Sequence, residues 1–377
     1  MAAATRSELC KSTAQRIAQA NPAAVNAVIG FDGFVDEIIE VVAKRHTAMS
    51  YDRLRTIGEF GARITAAAGQ SSNYELVVAQ QKLGGNGPIM ANALAAIGLS
   101  VTYIGNLGYP EVHPVFRELA GRSRVISIGE ACHTDALEFD DGKLMLGKLT
   151  PTTEINWDNV VTRVGRDRLT DIVSAAQLIG TVNWTMLPFM NEIWSHMLNE
   201  IILQTPARSR LLFVDLADPE KRTREDLKSA LVMLQQMQEH LGVVLGLNLK
   251  EAVQVAGVLG LPAGGEKDHD IENLAAGIQK HLKLRTVVIH PRFGAAAASA
   301  EGCAWFAGPF VKQPRISTGA GDHFNAGFIA GQVLGLTQAE SLCMGTATSG
   351  FYVRTGISPS AAQLQEFITE LPPPQAG

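Results

Sequence analysis

The stretch STGAGDHFNAGF, Ser317 to Phe328, sets a glycine-rich turn at the start of a helix and puts one carboxylate, Asp322, just inside that start. Phe324 and Phe328 stand four apart, and Gly327, Gly331 and Gly335 repeat at the same interval, which predicts a helix with a small-residue edge suited to close packing. A turn free of side chains leaves backbone N–H groups pointing outward at the positive end of the helix dipole, and that combination binds anions. A carboxylate inside an anion site is costly unless chemistry needs it. Amides that hold charge beside an acid that steers a hydroxyl describe phosphoryl transfer. A glycine-rich cap in which Asp322 only complements the dipole fits the same residues, so the rest of the chain has to decide.

Composition narrows the field. The 377 residues suit one large α/β unit carrying an insertion, and 46% hydrophobic residues suffice for a sizeable core. A formal charge of −5 with no basic stripe argues against nucleic acid as a partner, while a few local donors are enough for an anionic ligand. Cys10, Cys132, Cys303 and Cys343 are scattered without metal-ligand spacing, which suits a reducing compartment. The first residues read as a polar helix (1–24) without a basic-then-apolar signal, and no apolar run reaches the roughly 20 residues needed to span a bilayer, so we expect a cytoplasmic protein with no membrane partner.

Short apolar runs alternate with helical sequence over most of the length. VNAVIGF (25–31), SVTYIGNLG (100–108), AQLIGTVNW (176–184), LLFVDLA (211–217), GVVLGLN (242–248) and TVVIH (286–290) read as strands, with Pro88 to Ile97 as a helix between the first two. The expectation is a doubly wound, mostly parallel sheet flanked by helices, with ligands beyond the carboxyl ends of its strands. Two segments break the rhythm. Residues 37–83 hold a strand, EIIEVVAK, and then a helix around YDRLRTIGEFGARITAAAG, while 131–149 read as a hairpin turning at Asp140-Asp141-Gly142. Both are candidates for a small β lid that keeps water from the site, and residues 371–377 for a frayed tail.

Three further motifs follow strands. In Gly30-Phe31-Asp32-Gly33, with Asp36 close behind, carboxylates can accept several hydroxyls of a polyol, although Asp32 also suits a turn or helix cap. In Leu83-Gly84-Gly85-Asn86-Gly87-Pro88, successive glycines let the backbone approach a ligand at a helix start. Asn248 and Glu251, three apart at the next helix start, can hold a hydrated magnesium ion, or equally form a capping box. A Rossmann dehydrogenase is disfavoured, since no strand-linked G-x-G-x-x-G opens the chain.

In their order, the pair Gly84-Gly85 with Asn86, the N-x-x-E of Asn248 to Glu251, and the late Ser317 to Asp322 motif resemble the ribokinase-type (PfkB) carbohydrate kinase family, over roughly residues 25–370. The resemblance implies an ATP-dependent kinase, with magnesium, that phosphorylates a hydroxymethyl group of a sugar or sugar-containing molecule. A nucleoside kinase of the same fold, or a catalytically silent regulatory relative, is the alternative. Carried over by position, Asp322 is the base, and the amides of Gly319, Ala320 and Gly321 form the anion hole. Asp32, Asp36, Gly85 and Asn86 contact the sugar, while Asn248, Glu251, Arg292 and Thr318 hold nucleotide, phosphate and magnesium. The loop Arg354 to Ser360, with Gly356 and Ser360, resembles the monovalent-cation loop of some members, and a homodimer through the lid is common in the family. The chain departs from the pattern in four places: Ser317 replaces an Asp, His323 follows the base, Pro88-Ile89-Met90 stands where an Asn is usual, and His290-Pro291-Arg292 takes the place of T-x-G. At a helix N-terminus, Asp322 is expected to stay ionised.

Overall fold

The computed structural model describes residues 5–206 and 209–375, so the ends of the expected N-terminal helix segment (1–4) and tail (376–377) lie outside the described residues. Nine strands form the main sheet: β1 (Asn26–Phe31), β5 (Ser100–Gly105), β6 (Arg124–Ser127), β9 (Leu178–Thr181), β10 (Leu211–Asp215), β11 (Gly242–Leu247), β12 (Thr286–Ile289), β13 (Gly294–Ser299) and β14 (Gly302–Ala307). The lid holds β2 (Phe34–Thr47), β3 (Ser50–Arg53), β4 (Leu76–Gly84), β7 (Cys132–Phe139) and β8 (Gly142–Lys148). The main sheet runs β14-β13-β12-β11-β10-β9-β1-β5-β6. All its pairings are parallel except β12 with β13 and β13 with β14.

Its central strands are apolar throughout because both faces are covered. One face packs on helices including Trp157–Val164, Arg224–Gln238 and Asp268–Leu282, with Trp184 and Trp194 fully buried among them. The other packs on Asn86–Ile97, Ala320–Val333 and Gln338–Thr355. The N-terminal helix, Arg6–Gln19, joins that second layer by burying Cys10, Ala14 and Ile17.

The consequence for function lies at the strands' carboxyl ends. Asp32, Asn106, Asn183, Asp215, Asn248 and His290 each end, or closely follow, a parallel strand of the sheet. This polar rim is where an α/β sheet of this kind binds ligands.

In the lid, β2 leaves the rim directly and pairs with β4 (antiparallel) through residues 34–41 and with β7 (parallel) through 34–39, then with β3 farther out. The helix expected in this segment is shorter than its sequence suggested. Ser50–Arg53 extends as β3, and the helix runs only Ile57–Ala66, started by a Thr56/Glu59 capping box. The hairpin at 131–149 forms, with Asp140 and Asp141 at its turn. Ile39, Val41, Leu54, Phe60, Leu137 and Phe139 give the lid its own core.

Candidate active site

The helix Ala320–Val333 opens from Gly319, whose φ of 87° lies in the left-handed region and needs a glycine. Two helices can then approach closely. A β-carbon on Gly327 would sit 2.2 Å from Thr348 Oγ1, and one on Gly331 2.9 Å from Ser341 Oγ. Gly335 departs from this edge: it lies past the last helical residue at φ 80° and ends the helix instead of packing it.

Asp322 sits in the first turn, nearly buried, with Oδ1 accepting 2.9 Å from Asn86 Nδ2. This bond joins motifs 236 residues apart. Burial, followed by the charges of Asp32 and Glu251, pushes the Asp322 carboxyl up to about 7 against the bond from Asn86. The dipole alone would have kept it ionised. Desolvation outweighs the dipole here, and the group is poised near neutrality, which suits a general base.

The glycines flanking Asn86 have a specific use. A β-carbon on Gly84 would fall 2.3 Å from the Asp36 carboxyl carbon, on Gly85 2.8 Å from Asp32 Oδ2, and on Gly87 2.5 Å from Asp32 Oδ1. They admit the protein's own carboxylates. Asp32 has no exposed surface. It accepts from Asn86 N (3.0 Å), Gly87 N (2.9 Å) and Asn183 Nδ2 (2.7 Å), and so caps the helix Asn86–Ile97, whose N-cap glycine has no side chain to do so. Of the two readings of Asp32, these bonds express the cap. Burial raises its pKa to about 6 despite those donors. Asp36, on β2, faces Lys82 of β4 and Thr134 of β7 across the lid sheet, and burial raises its pKa as well.

Asn248 and Glu251 form the capping box. Asn248 Oδ1 accepts from Glu251 N (3.0 Å), and Glu251 accepts from Asn248 N and Asp218 N, both at 2.9 Å. Burial raises the Glu251 pKa. Among the described residues, no group of three or more His, Cys, Asp or Glu side chains is placed to hold a metal directly. Glu251 and Asp215 are nonetheless buried carboxylates whose charges disfavour one another, and Lys250 turns away to Asp218 (3.1 Å) and Glu220. This fits a hydrated divalent ion carrying its own waters better than a bare ion in a protein cage.

The remaining positions divide. Thr318 accepts through its carbonyl from Tyr352 Oη at 3.0 Å, beside the anion turn. Arg292 is exposed on the loop after β12. His290 packs at a tilt against Phe324, with ring centroids 4.7 Å apart, next to Gly321. His323 is a packed residue. Its Nδ1 meets Gly319 O at 2.7 Å, its Nε2 meets Ser358 Oγ at 2.9 Å, and its ring lies 3.6 Å from that of Tyr352. Burial lowers its pKa to about 4, so it is neutral at physiological pH. Gly356 ends the helix Gln338–Thr355 in the left-handed region, and the Ser360 hydroxyl is used in capping Ala361–Thr369. Sequence reading missed Asn183, a left-handed residue (φ 63°) that holds Asp32, and Asp215, the last residue of β10. The available signal was position: each stands where an apolar strand meets the rim.

Residues 3–371 match the family of prokaryotic ketohexokinases. The chain belongs to that family. A ketohexokinase of Haloferax volcanii is 30% identical over 344 residues, covering 91% of this chain and 90% of that protein. A carbohydrate kinase from Agrobacterium tumefaciens shares the fold with a TM-score of 0.62 at 16% identity, covering 93% of this chain and 98% of that one. A putative ribokinase from E. coli, in complex with ATP and Mg2+, does so with a TM-score of 0.61 at 13% identity, covering 92% and 99%. The protein is therefore a carbohydrate kinase of ribokinase-like fold, a phosphotransferase with an alcohol acceptor, and the nucleoside-kinase and silent-relative readings give way. No described helix of the kinase is long and apolar enough to cross a membrane.

Proposed function

We propose that the kinase transfers the terminal phosphoryl group of ATP to a hydroxymethyl group of a ketohexose, with Asp322 as general base. The observation that carries this reading is the bond from Asn86 to Asp322, which ties the glycine motif on the sugar side to the phosphoryl end. Asp36, Gly85 and Asn86 hold the sugar, and Asp32 fixes Asn86 and Gly87 from behind. The hydroxyl oxygen attacks the terminal phosphorus, the bond to the bridging oxygen breaks, ADP leaves, and the hydroxyl proton passes to Asp322. The amides of Gly319 and Gly321 face the charge that develops, with Thr318 in the same turn, whereas the Ala320 amide, expected to join them, donates to Ser317 O at 3.2 Å instead. Asn248 and Glu251 would hold a hydrated magnesium ion whose charge would offset that of the phosphates, and Arg292 lies on the nucleotide side. With Ser317 in place of an acid and the Ser360 hydroxyl committed to a cap, we expect potassium to change turnover little.

The test is ADP release with magnesium on a panel of ketohexoses, aldohexoses, pentoses and nucleosides, with NMR of the product to find the phosphorylated carbon. A ketohexose should give the highest kcat/KM, with phosphate on a primary hydroxyl. A nucleoside or aldohexose turning over faster would overturn the substrate class, and phosphate on a secondary hydroxyl would overturn the geometry. We further propose a cytoplasmic homodimer formed through the lid, supported by the apolar side chains the lid leaves exposed.

A further inference from the structure

Asp215 ends β10 almost fully buried, and both its oxygens are committed inside the protein. Oδ2 accepts from Asn325 Nδ2 at 2.7 Å, and Asn325 stands three residues after Asp322 on the same helix. Oδ1 accepts from Ala217 N at 2.8 Å. Ala217 and Asp218 have φ of 55° and 66°, a region that residues with side chains enter only when their surroundings hold them there. What holds them is a pair of carboxylates. Asp215 takes the N–H of Ala217, and Glu251 takes the next N–H, that of Asp218, at 2.9 Å. The second oxygen of Glu251 accepts from Asn248 N at 2.9 Å. Hydrogen bonds joined by the Ala217–Asp218 backbone thus lead from the helix bearing Asp322 to the helix start bearing Asn248 and Glu251.

We propose that Asp215 is a positioning residue for phosphoryl transfer. Through Asn325 on one side and the strained Ala217–Asp218 turn on the other, it fixes the base-bearing helix relative to the Asn248–Glu251 helix start, so that the attacking hydroxyl and the phosphates meet in line. The proposal rests on the reading of Asp322 as base and of Asn248 and Glu251 as phosphate organisers. Asn248 and Asp322 belong to separate strand–helix units, so no single element carries both helix starts. Misplacement of reacting groups by about 1 Å costs on the order of 100-fold in rate, so a link of this kind acts on kcat more than on sugar binding.

The test uses Asp215→Ala, Asp215→Asn, Asn325→Ala and the double variant Asp215→Ala/Asn325→Ala, with kcat and KM resolved for sugar and ATP and with folding followed by circular dichroism. Asp215→Ala and Asn325→Ala should each lower kcat about 10- to 100-fold with the sugar KM nearly unchanged. The double variant should be no slower than the worse single one, because one link is broken either way. Asp215→Asn should recover most of the loss. Its oxygen can still accept from Ala217, and Asn325 can turn its Oδ1, a buried atom with no partner, toward the new amide.

Wild-type kcat in Asn325→Ala, multiplying losses in the double variant, or Asp215→Asn as slow as Asp215→Ala would each overturn the link. If Asp215→Ala fails to fold, the Asn325→Ala and Asp215→Asn results decide alone. Asp322→Asn, run in parallel, separates the two assignments. Full turnover there removes the base, whereas loss there with normal kcat in Asn325→Ala removes only the link.

Discussion

Asp322 combines two demands that oppose each other. As the proposed base it must give up its proton near neutral pH, yet its place between Asp32, Glu251 and the packed helix makes the charged form expensive. A carboxyl whose pKa is raised in the fold binds its proton there more tightly than in the unfolded chain. The cost to stability is therefore absent below about pH 4, grows as pH rises, and is complete above about pH 7. The kcat/KM of the free enzyme should rise with pH through about 7, and an acidic limb centred near pH 4 would contradict the burial argument. Asp322→Asn should abolish turnover and yet be more stable than wild type by roughly 2–4 kcal/mol at pH 8, since each pKa unit is worth about 1.4 kcal/mol. Below about pH 4 denaturation of the two proteins should nearly coincide. Equal stability at pH 8 would mean the carboxylate is better solvated than its burial implies.

At the scale of elements, the close approach of the helices Ala320–Val333 and Gln338–Thr355 sets where Asp322 points. Gly327 is the tightest place: an added methyl would meet Thr348 Oγ1 at 2.2 Å and the Met344 carbonyl at 2.8 Å, and that hydroxyl and that carbonyl are already bonded to each other. Gly327→Ala would gain up to about 1 kcal/mol of helix propensity. Overpacking costs about 1–3 kcal/mol, and the neighbours here include backbone, so the loss wins. We expect a net destabilisation of about 1–2 kcal/mol in urea denaturation with a lowered kcat. Gly331→Ala, which meets only Ser341, should be milder. The close-packing edge of the helix Ala320–Val333 was legible in sequence, in glycines at four-residue spacing, although its partner helix was not. Nor were other elements. The strand β13 is written GAAAAS, and alanine favours helix in isolation; it extends because Ala295 to Ala298 are buried, on one face against the helix Asp268–Leu282. The strand β4 was hidden because its exposed, polar middle carries no apolar alternation. Asp215 and Asn183 escaped notice for a related reason. A single acid or amide at a strand end has no spacing signature, and its role appears only once the sheet brings distant strand ends together.

For the whole molecule, the proposed homodimer turns on the lid. Among the described residues, six of the thirteen exposed large apolar side chains belong to it: Met49, Ile64, Leu76, Val78, Met145 and Leu146. The strand β4 pairs with β2 alone, so its outer edge presents unpaired backbone groups along a nine-residue strand. Register adds direction. Leu76 and Val78 lie opposite Val41 and Ile39, so they share the face that forms the lid core, yet they are 42% and 45% exposed where Val41 and Ile39 are 0% and 1%. Open strand edges beside uncovered apolar side chains favour pairing with another chain, and the lid of a second copy offers the same edge and the same apolar pair. Leu76→Lys with Val78→Lys should therefore weaken self-association by roughly 10- to 100-fold, measured by sedimentation equilibrium, while leaving thermal stability of the main domain nearly unchanged. A wild-type chain that stays monomeric at micromolar concentration, or a double variant that associates as tightly as wild type, would place the contact elsewhere. Because β2 runs from this lid directly into Asp36 and the rim, loss of the partner should also raise the sugar KM more than it lowers kcat. The reverse pattern would mean that the partner acts on the phosphoryl end of the site.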